Sequence, residues 1–398
     1  MTSQLVKPFE ETARREDAFQ LATYKKFPFA VERGEGAWVE TSEGIRYLDL
    51  YGGHAVAATG HCHPRVVAAI KAQAERLLFY SNLVYSEVRA RASARLVGVA
   101  PARLTKAFFC NSGTEANENA MRMARLKTGR ERIITFERGF HGRTADSISA
   151  TFLGKYRDLG RPNVPGHLCA EFGSIESVAA LADETVAAVL LEPVQSMAGV
   201  RLAAPEFYRA LRRLCDERGM VLIYDEVQTG IGRTGEWFFA GSEAGGRVVP
   251  DIVTLAKALG SGVPVGACLT TEDVASQIKE NDLGTTFGGG MLAMAAVEAT
   301  LDAIETDAML ENVRAVERRL RERLAGVGRV AGVRGLGFLL GVEFDGEIAS
   351  KVQQSLLGRR IITGTSSDAR VLRLLPPLCL SGREADLFVD ALKASLEM

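Results

Sequence analysis

The sequence predicts an α/β protein in which a large domain built on a mainly parallel sheet is followed by a smaller α+β unit. Three observations predict it. Between about residues 105 and 270, short runs that are apolar on both faces alternate with longer segments whose apolar residues recur at helical spacing, the order of a covered parallel sheet with crossover helices. Each apolar run is followed by a turn rich in Gly or polar residues. At 398 residues, with 47% hydrophobic and 24% charged side chains, the chain is long enough for more than one domain and has an ordinary globular composition, which excludes a disulfide-stapled mini-protein, a disordered chain and a coiled coil.

In chain order, GAWVETSEGIRYLDLY (36–51) alternates like a hairpin. The candidate strands KAFFC (106–110), RIITF (132–136), AAVLL (187–191), MVLIYD (220–225) and DIVTLA (251–256) follow, with crossover helices at 115–127 and 205–219 among the segments between them. Long helices are expected at MLAMAAVEATLDAIET (291–306) and ENVRAVERRLRERL (311–324), then strands at GFLLGVEF (337–344) and VLRLLPPLCL (371–380), and a closing helix at 383–398. No internal repeat, low-complexity tract or Pro/Ser-rich linker interrupts this order. The expected division is an N-terminal segment (1–50) that packs with the small domain, a large domain (51–288) and a C-terminal small domain (289–398).

Lys and Arg total 48 against 49 for Asp and Glu, so the chain has no positive field with which to hold a nucleic-acid backbone. No apolar stretch is long enough for a membrane span, and the first residues lack a signal's apolar core, so a cytoplasmic protein is expected. The six cysteines, Cys62, Cys110, Cys169, Cys215, Cys268 and Cys379, include no C-x-x-C pair and read as reduced core residues. Gly is 40 of 398, above the usual ~7%, which points to many turns where backbone approaches something closely.

In open α/β sheets functional groups gather at the carboxyl ends of strands. After KAFFC, a small-residue turn from Asn111 to Gly113 opens into a helix at Thr114, which aims free N–H groups and the positive end of a helix dipole at one point, as a phosphate seat would. Any N-capped helix shows the same text. After MVLIY comes Asp225, a carboxylate at the end of an apolar strand, which needs a cationic partner; a ligand nitrogen or a neighbouring Arg could supply it. The GIGRTG that follows matches a dinucleotide-binding pattern but is not followed by an amphipathic helix, so that reading is rejected. After DIVTLA, Lys257 stands among small apolar residues; burial would make it a nucleophilic amine, while snorkelling would leave it an ordinary surface lysine. Together, a phosphate seat, a buried carboxylate and a desolvated amine are what pyridoxal 5′-phosphate requires.

With these residues in place, the chain resembles the class III aminotransferases of PLP fold type I, in particular the acetylornithine and ornithine aminotransferase branch. The likeness runs from PFAVERGEGAWVETSEGIRYLDLYGGHAVAATGHCHP to VLRLLPPL. The resemblance implies a large domain with a seven-stranded-type sheet, a ping-pong transamination from an ω-amino donor such as N-acetylornithine to 2-oxoglutarate, and a homodimer with shared sites. It implies that Lys257 forms the Schiff base and shuttles the proton, that Asp225 pairs with the ring nitrogen, and that Gln228 faces the phenolic oxygen. Ser112, Gly113 and Thr114 would hold the phosphate, Phe140 would stack on the ring with His141 beside it, Glu192 would lie at the cofactor, and Thr286 would reach the neighbouring subunit's phosphate. For substrate, Arg143 helped by Tyr24 would hold the far carboxylate, and Arg373 the α-carboxylate. Ornithine, 4-aminobutyrate, succinylornithine or a carrier-bound lysine would fit the same pattern as donors, and a PLP decarboxylase would use the same Lys257 and Asp225.

Two departures bear on substrate. Family members of the ornithine type read EPIQGEGG where this chain reads EPVQSMAGV, so Met197 stands in place of a glutamate that would pair with Arg373, and His54 replaces an aliphatic residue or tyrosine near the substrate. GHCHP, with His61, Cys62 and His63, is read as a structural turn and not a metal site, because adjacent ligands point different ways and a Pro follows.

Overall fold

The computed structural model describes residues 8–397; residues 1–7 of the expected N-terminal segment and Met398 of the closing helix lie outside the described residues. A central sheet of seven strands organises the chain. In chain order they are β1 (Lys106–Cys110), β2 (Arg132–Phe136), β3 (His167–Ala170), β4 (Val186–Leu191), β5 (Val221–Asp225), β6 (Ile252–Leu255) and β7 (Gly266–Thr270). Their spatial order is β1-β7-β6-β5-β4-β2-β3. Strands β6, β5, β4, β2 and β3 pair in parallel, whereas β7 runs antiparallel between β1 and β6. Every residue of β4, β5, β6 and β7 is buried, as strands covered by helices on both faces must be.

The five candidate strands are all present, and the two missed by the sequence reading are instructive. His167–Ala170 carries a polar first residue and lies at the sheet edge, while Gly266–Thr270 opens on Gly and Ala, residues of low strand preference. Lys106–Cys110 is also an edge strand, and its first three residues are not buried, so it is apolar on both faces only at its end. The expected strand at 371–380 stops at Leu374, because Pro376 and Pro377 have no N–H to continue a ladder. The cysteine expectation is corrected in part. All six are free, but Cys62 and Cys169 are exposed and Cys379 is only half-buried.

Helix α1 (Gly113–Thr128) crosses the central strands and shows how the sheet's active edge is fixed. Its buried face is Ala116, Asn117, Ala120, Met121, Met123 and Ala124, small or flexible residues at helical spacing that let the helix sit close to the sheet. Ser112 caps it by accepting from the Glu115 N–H, and Gly129 ends it at φ 68°, a left-handed turn that costs glycine nothing.

Two smaller sheets flank this core. The hairpin strands Trp38–Thr41 and Arg46–Asp49 join Val31–Glu35 and, in parallel, Ile361–Ile362 from far along the chain. The other sheet is antiparallel, from Val330–Leu336, Leu339–Phe344, Val371–Leu374 and Gly364–Thr365. Helix α2 (Met291–Thr306) packs against Pro64–Arg76 and Glu87–Val99 and reaches the turn at Lys257–Gly260. Among the described residues no helix is long and apolar enough to cross a membrane.

Candidate active site

The carboxyl ends of β1, β5 and β6 open onto one cavity of about 360 Å³. It is lined by Ser112, Gly113, Thr114, Phe140, His141, Glu192, Asp225, Gln228 and Lys257, so the structure brings together every expected cofactor residue except Thr286. Thr286 is exposed and does not line the cavity.

At the end of β1 the chain turns through Asn111 into α1. Glu115 reaches back, its Oε2 accepting from the Asn111 N–H and from Asn111 Nδ2, both at 2.9 Å. Ser112 and Glu115 thus satisfy the cap between them and leave the N–H groups of Gly113 and Thr114, first in the helix, without a protein acceptor at the cavity wall. Gly142 (φ 138°) lets the neighbouring loop approach Thr114, since a Cβ there would lie 2.6 Å from Thr114 Cβ.

Asp225 ends β5 and is almost fully buried. Its Oδ2 accepts from Asn117 Nδ2 at 2.7 Å and lies 2.8 Å from His141 Nδ1, and its Oδ1 accepts from the Val227 N–H at 3.1 Å. Asn117 is itself fixed, accepting from Thr254 Oγ1 at 2.6 Å and donating to the His141 carbonyl at 2.8 Å. The carboxylate is therefore aimed by a rigid polar network and keeps capacity for one more donor.

Lys257 begins a single 3₁₀ turn after β6 and is held at φ 27°, where an L-residue is strained. Burial drives its amine down to about 8; Asp225 and Glu192 oppose the shift, and Arg373 and Arg233 add to it. Glu192, buried opposite, is pushed up to about 7 chiefly by burial, and accepts from the Phe140 N–H at 2.8 Å. Phe140 presents its ring edge-on to Tyr156, with centroids 5.5 Å apart.

These residues fit pyridoxal 5′-phosphate. Two free helix N–H groups suit its phosphate, Asp225 a protonated ring nitrogen, and the Lys257 amine an aldehyde. Gln228 Oε1 is buried without a partner in the same cavity, an acceptor that a phenolic hydroxyl would satisfy.

The expected substrate residues lie outside that lining. Arg373, on Val371–Leu374, is 5% exposed, yet among the described residues no carboxylate bonds to it. It donates from Nε to the Thr365 carbonyl at 2.7 Å, from Nη1 to Ser196 Oγ at 3.1 Å and from Nη2 to Tyr51 Oη at 2.7 Å. Met197 is half-buried and is not among those partners; its carbonyl instead accepts from the Ser367 N–H. Arg143 is exposed and sits over the rings of Tyr24 and Tyr156, at 5.8 and 5.4 Å, so the Tyr24–Arg143 pairing is present. His54 (φ 67°) packs on Tyr51 at 4.7 Å, and burial together with Arg373, Lys257 and Arg143 pushes its imidazole down.

Sequence reasoning missed Asn117, Val227, Tyr51 and Ser196. Asn117 had a signal: it stands four residues after Gly113 on an otherwise apolar helix face. Tyr51 and Ser196 had none, because their partner Arg373 is 322 and 177 residues away. His61 and His63 each face a separate carboxylate, Asp49 and Asp307, both at 2.9 Å.

Comparison with known proteins agrees with this geometry. Residues 19–396 match the family model described as aminotransferase class-III. The acetylornithine aminotransferase of Methanopyrus kandleri is 45% identical over 387 residues, covering 95% of this chain and 98% of that protein. That of Archaeoglobus fulgidus is 40% identical over 376 residues, covering 94% and 98%. Among solved structures, the ornithine aminotransferase from Toxoplasma gondii superposes with a TM-score of 0.90 at 28% identity, covering 99% of this chain and 96% of that one. The acetylornithine aminotransferase from Elizabethkingia anophelis gives 0.84 at 27% identity, covering 99% and 100%.

Proposed function

The chain belongs to the class III aminotransferases, and within that family we propose that it moves the δ-amino group of N-acetylornithine to 2-oxoglutarate, giving the semialdehyde and glutamate. The observation that carries this reading is the conjunction of a buried amine and a buried carboxylate in one cavity with two arginines beyond its lining, Arg373 buried and Arg143 exposed. The cofactor is pyridoxal 5′-phosphate, which when bound supplies an aldehyde to receive the amine and a ring that withdraws electrons from the substrate carbon.

The chain's own residues supply the rest. The Gly113 and Thr114 N–H groups and the dipole of α1 hold an anion at the helix start. Asp225, fixed by Asn117, His141 and the Val227 N–H, would pair with the cofactor's ring nitrogen and favour its protonated form. Lys257, with its amine near 8, is both an available nucleophile and a base close to neutral pH, so it can take a proton from the substrate carbon and return it. Phe140, on the cavity wall, would bound a face of the cofactor ring. Arg373, with two nitrogens bonded to hydroxyls that can yield, suits the α-carboxylate of the acceptor, and Arg143 with Tyr24 suits the far carboxylate of the donor.

We extend the reading to a homodimer in which Thr286 completes the neighbouring site. Its support is that Thr286 is exposed beside Phe287, which is 65% exposed, and that Leu77–Tyr85 also bares apolar side chains. That the N-terminal segment packs with the C-terminal domain is supported by the pairing of Arg46–Asp49 with Ile361–Ile362, and a cytoplasmic location by six free cysteines.

A donor panel with 2-oxoglutarate tests the substrate assignment. N-acetylornithine should give the highest kcat/KM; a tenfold preference for ornithine, 4-aminobutyrate, succinylornithine or a carrier-bound lysine, or release of carbon dioxide without amine transfer, would overturn it.

A further inference from the structure

Among the described residues, Arg233 is the largest fully buried side chain, at 1% exposure. It lies in the loop after β5, the strand that ends in Asp225. Its Nη1 donates to two carbonyls, those of Pro376 and, at 3.4 Å, Phe338, and its own carbonyl accepts from the Phe338 N–H at 2.8 Å. Among the described residues no carboxylate bonds to it, and Nε and Nη2 have no partner. Burying a cation on such terms is costly, and desolvation pushes its guanidinium down to about 9, with Asp49 the one nearby charge that opposes. A residue kept at that cost, where an apolar side chain of similar volume would pack as well, calls for a reason other than stability.

The carbonyls it holds suggest the reason. Pro376 lies three residues beyond Arg373, where two prolines have ended the strand and no ladder fixes the backbone. The same turn is held from its other side by segment 50–58: Leu375 N–H donates to the Leu50 carbonyl at 2.8 Å and Leu378 N–H to the Ala58 carbonyl at 2.7 Å. That segment carries Tyr51, whose hydroxyl accepts from Arg373. Asp49 orders its start by accepting from the Tyr51 and Gly52 N–H groups, both at 2.9 Å.

We propose that Arg233 is a positioning residue for the α-carboxylate grip: from the loop behind Asp225, its guanidinium clamps the Pro376 and Phe338 carbonyls and so fixes Arg373 relative to Lys257. The inference rests on the reading of Arg373 given above. It separates the two halves of the reaction, because the donor half-reaction uses Arg143 and the acceptor half-reaction uses Arg373. A side chain that only stabilised the fold would affect both.

The test is single-turnover kinetics of each half-reaction on the holoenzyme, with N-acetylornithine and then 2-oxoglutarate, in Arg233→Met and Arg233→Lys. Arg233→Met keeps an unbranched apolar stem and loses the donors; it should raise the apparent Kd for 2-oxoglutarate about tenfold and leave the donor half-reaction within about twofold. Arg233→Lys keeps one charged donor and should show about a threefold rise; if the Met variant does not fold, this variant decides. An unchanged 2-oxoglutarate Kd, or equal losses in both half-reactions, overturns the proposal. Arg373→Lys is measured alongside: if it leaves the 2-oxoglutarate Kd unchanged, the assignment of Arg373 fails; if it raises the Kd while the Arg233 variants do not, only the clamp fails.

Discussion

The two sides of the cavity are built differently. On the cofactor side, Asp225, Glu192, His141 and Lys257 are buried, and Asp225 alone collects three hydrogen bonds from α1 and the loops beside it. Among the residues proposed for the donor, Tyr24 is 69% exposed and Arg143 is exposed over the rings of Tyr24 and Tyr156. The contrast teaches that the groups proposed for the chemistry are held in place by buried hydrogen bonds, whereas those proposed for the donor lie at the surface, where a bound substrate would have to order them.

The sharpest way to break that contrast is Lys257→Ala, which should lower turnover about 10³-fold or more while pyridoxal phosphate is still retained by equilibrium dialysis. Near-normal turnover would mean that the proton is moved by some other group. Asp225→Asn should cost about 10²-fold in kcat, because the carboxylate's charge is lost while its size and most of its hydrogen bonds remain.

Substrate-side changes should be milder. With Arg373 bonded to hydroxyls and a carbonyl in place of a carboxylate, alanine should serve as a slow amino donor, and Met197→Glu should reduce its rate about tenfold. Single-turnover reaction with alanine checks this; exclusion of alanine by the unmodified protein together with no change in Met197→Glu would remove the idea. Arg143→Ala should raise the donor KM several-fold yet shift stability by no more than ~0.5 kcal/mol, as expected of an exposed side chain. Asn117→Ala should instead cost ~1–3 kcal/mol by thermal or urea unfolding, because it strands the buried Thr254 hydroxyl and one lone pair of Asp225.

The difference in legibility follows the same line. Lys257, Asp225 and the turn at 111–114 could be read from the sequence because each directly follows an apolar run, and the ends of such runs are where a parallel sheet gathers function. The central strands were legible for the same reason, while β3 at the edge opens on a polar residue and β7 opens on Gly and Ala, which weakens the strand signal. What could not be read is what long-range packing creates: Tyr51 and Ser196 on Arg373, and the Arg233 clamp on Pro376, 143 residues away. GIGRTG, rejected as a nucleotide loop, contains that arginine, and nothing in its local pattern announced its burial.

A pH dependence tests the buried amine independently. The Lys257 amine falls from an ordinary 10.5 to about 8 in the fold, so between those values the unfolded chain binds a proton that the folded apoenzyme has released. Stability of the apoenzyme from this group therefore rises with pH across that window, and its penalty is fully present below about 8. Capture of pyridoxal phosphate by the apoenzyme should accelerate through the same midpoint and then level off.

The most direct measurement is chemical. Incubating the apoenzyme with pyridoxal 5′-phosphate, reducing with borohydride and mapping the peptides by mass should place the pyridoxyl group on Lys257, with no such adduct in Lys257→Ala. Labelling at a different lysine, or none at all, would contradict the account.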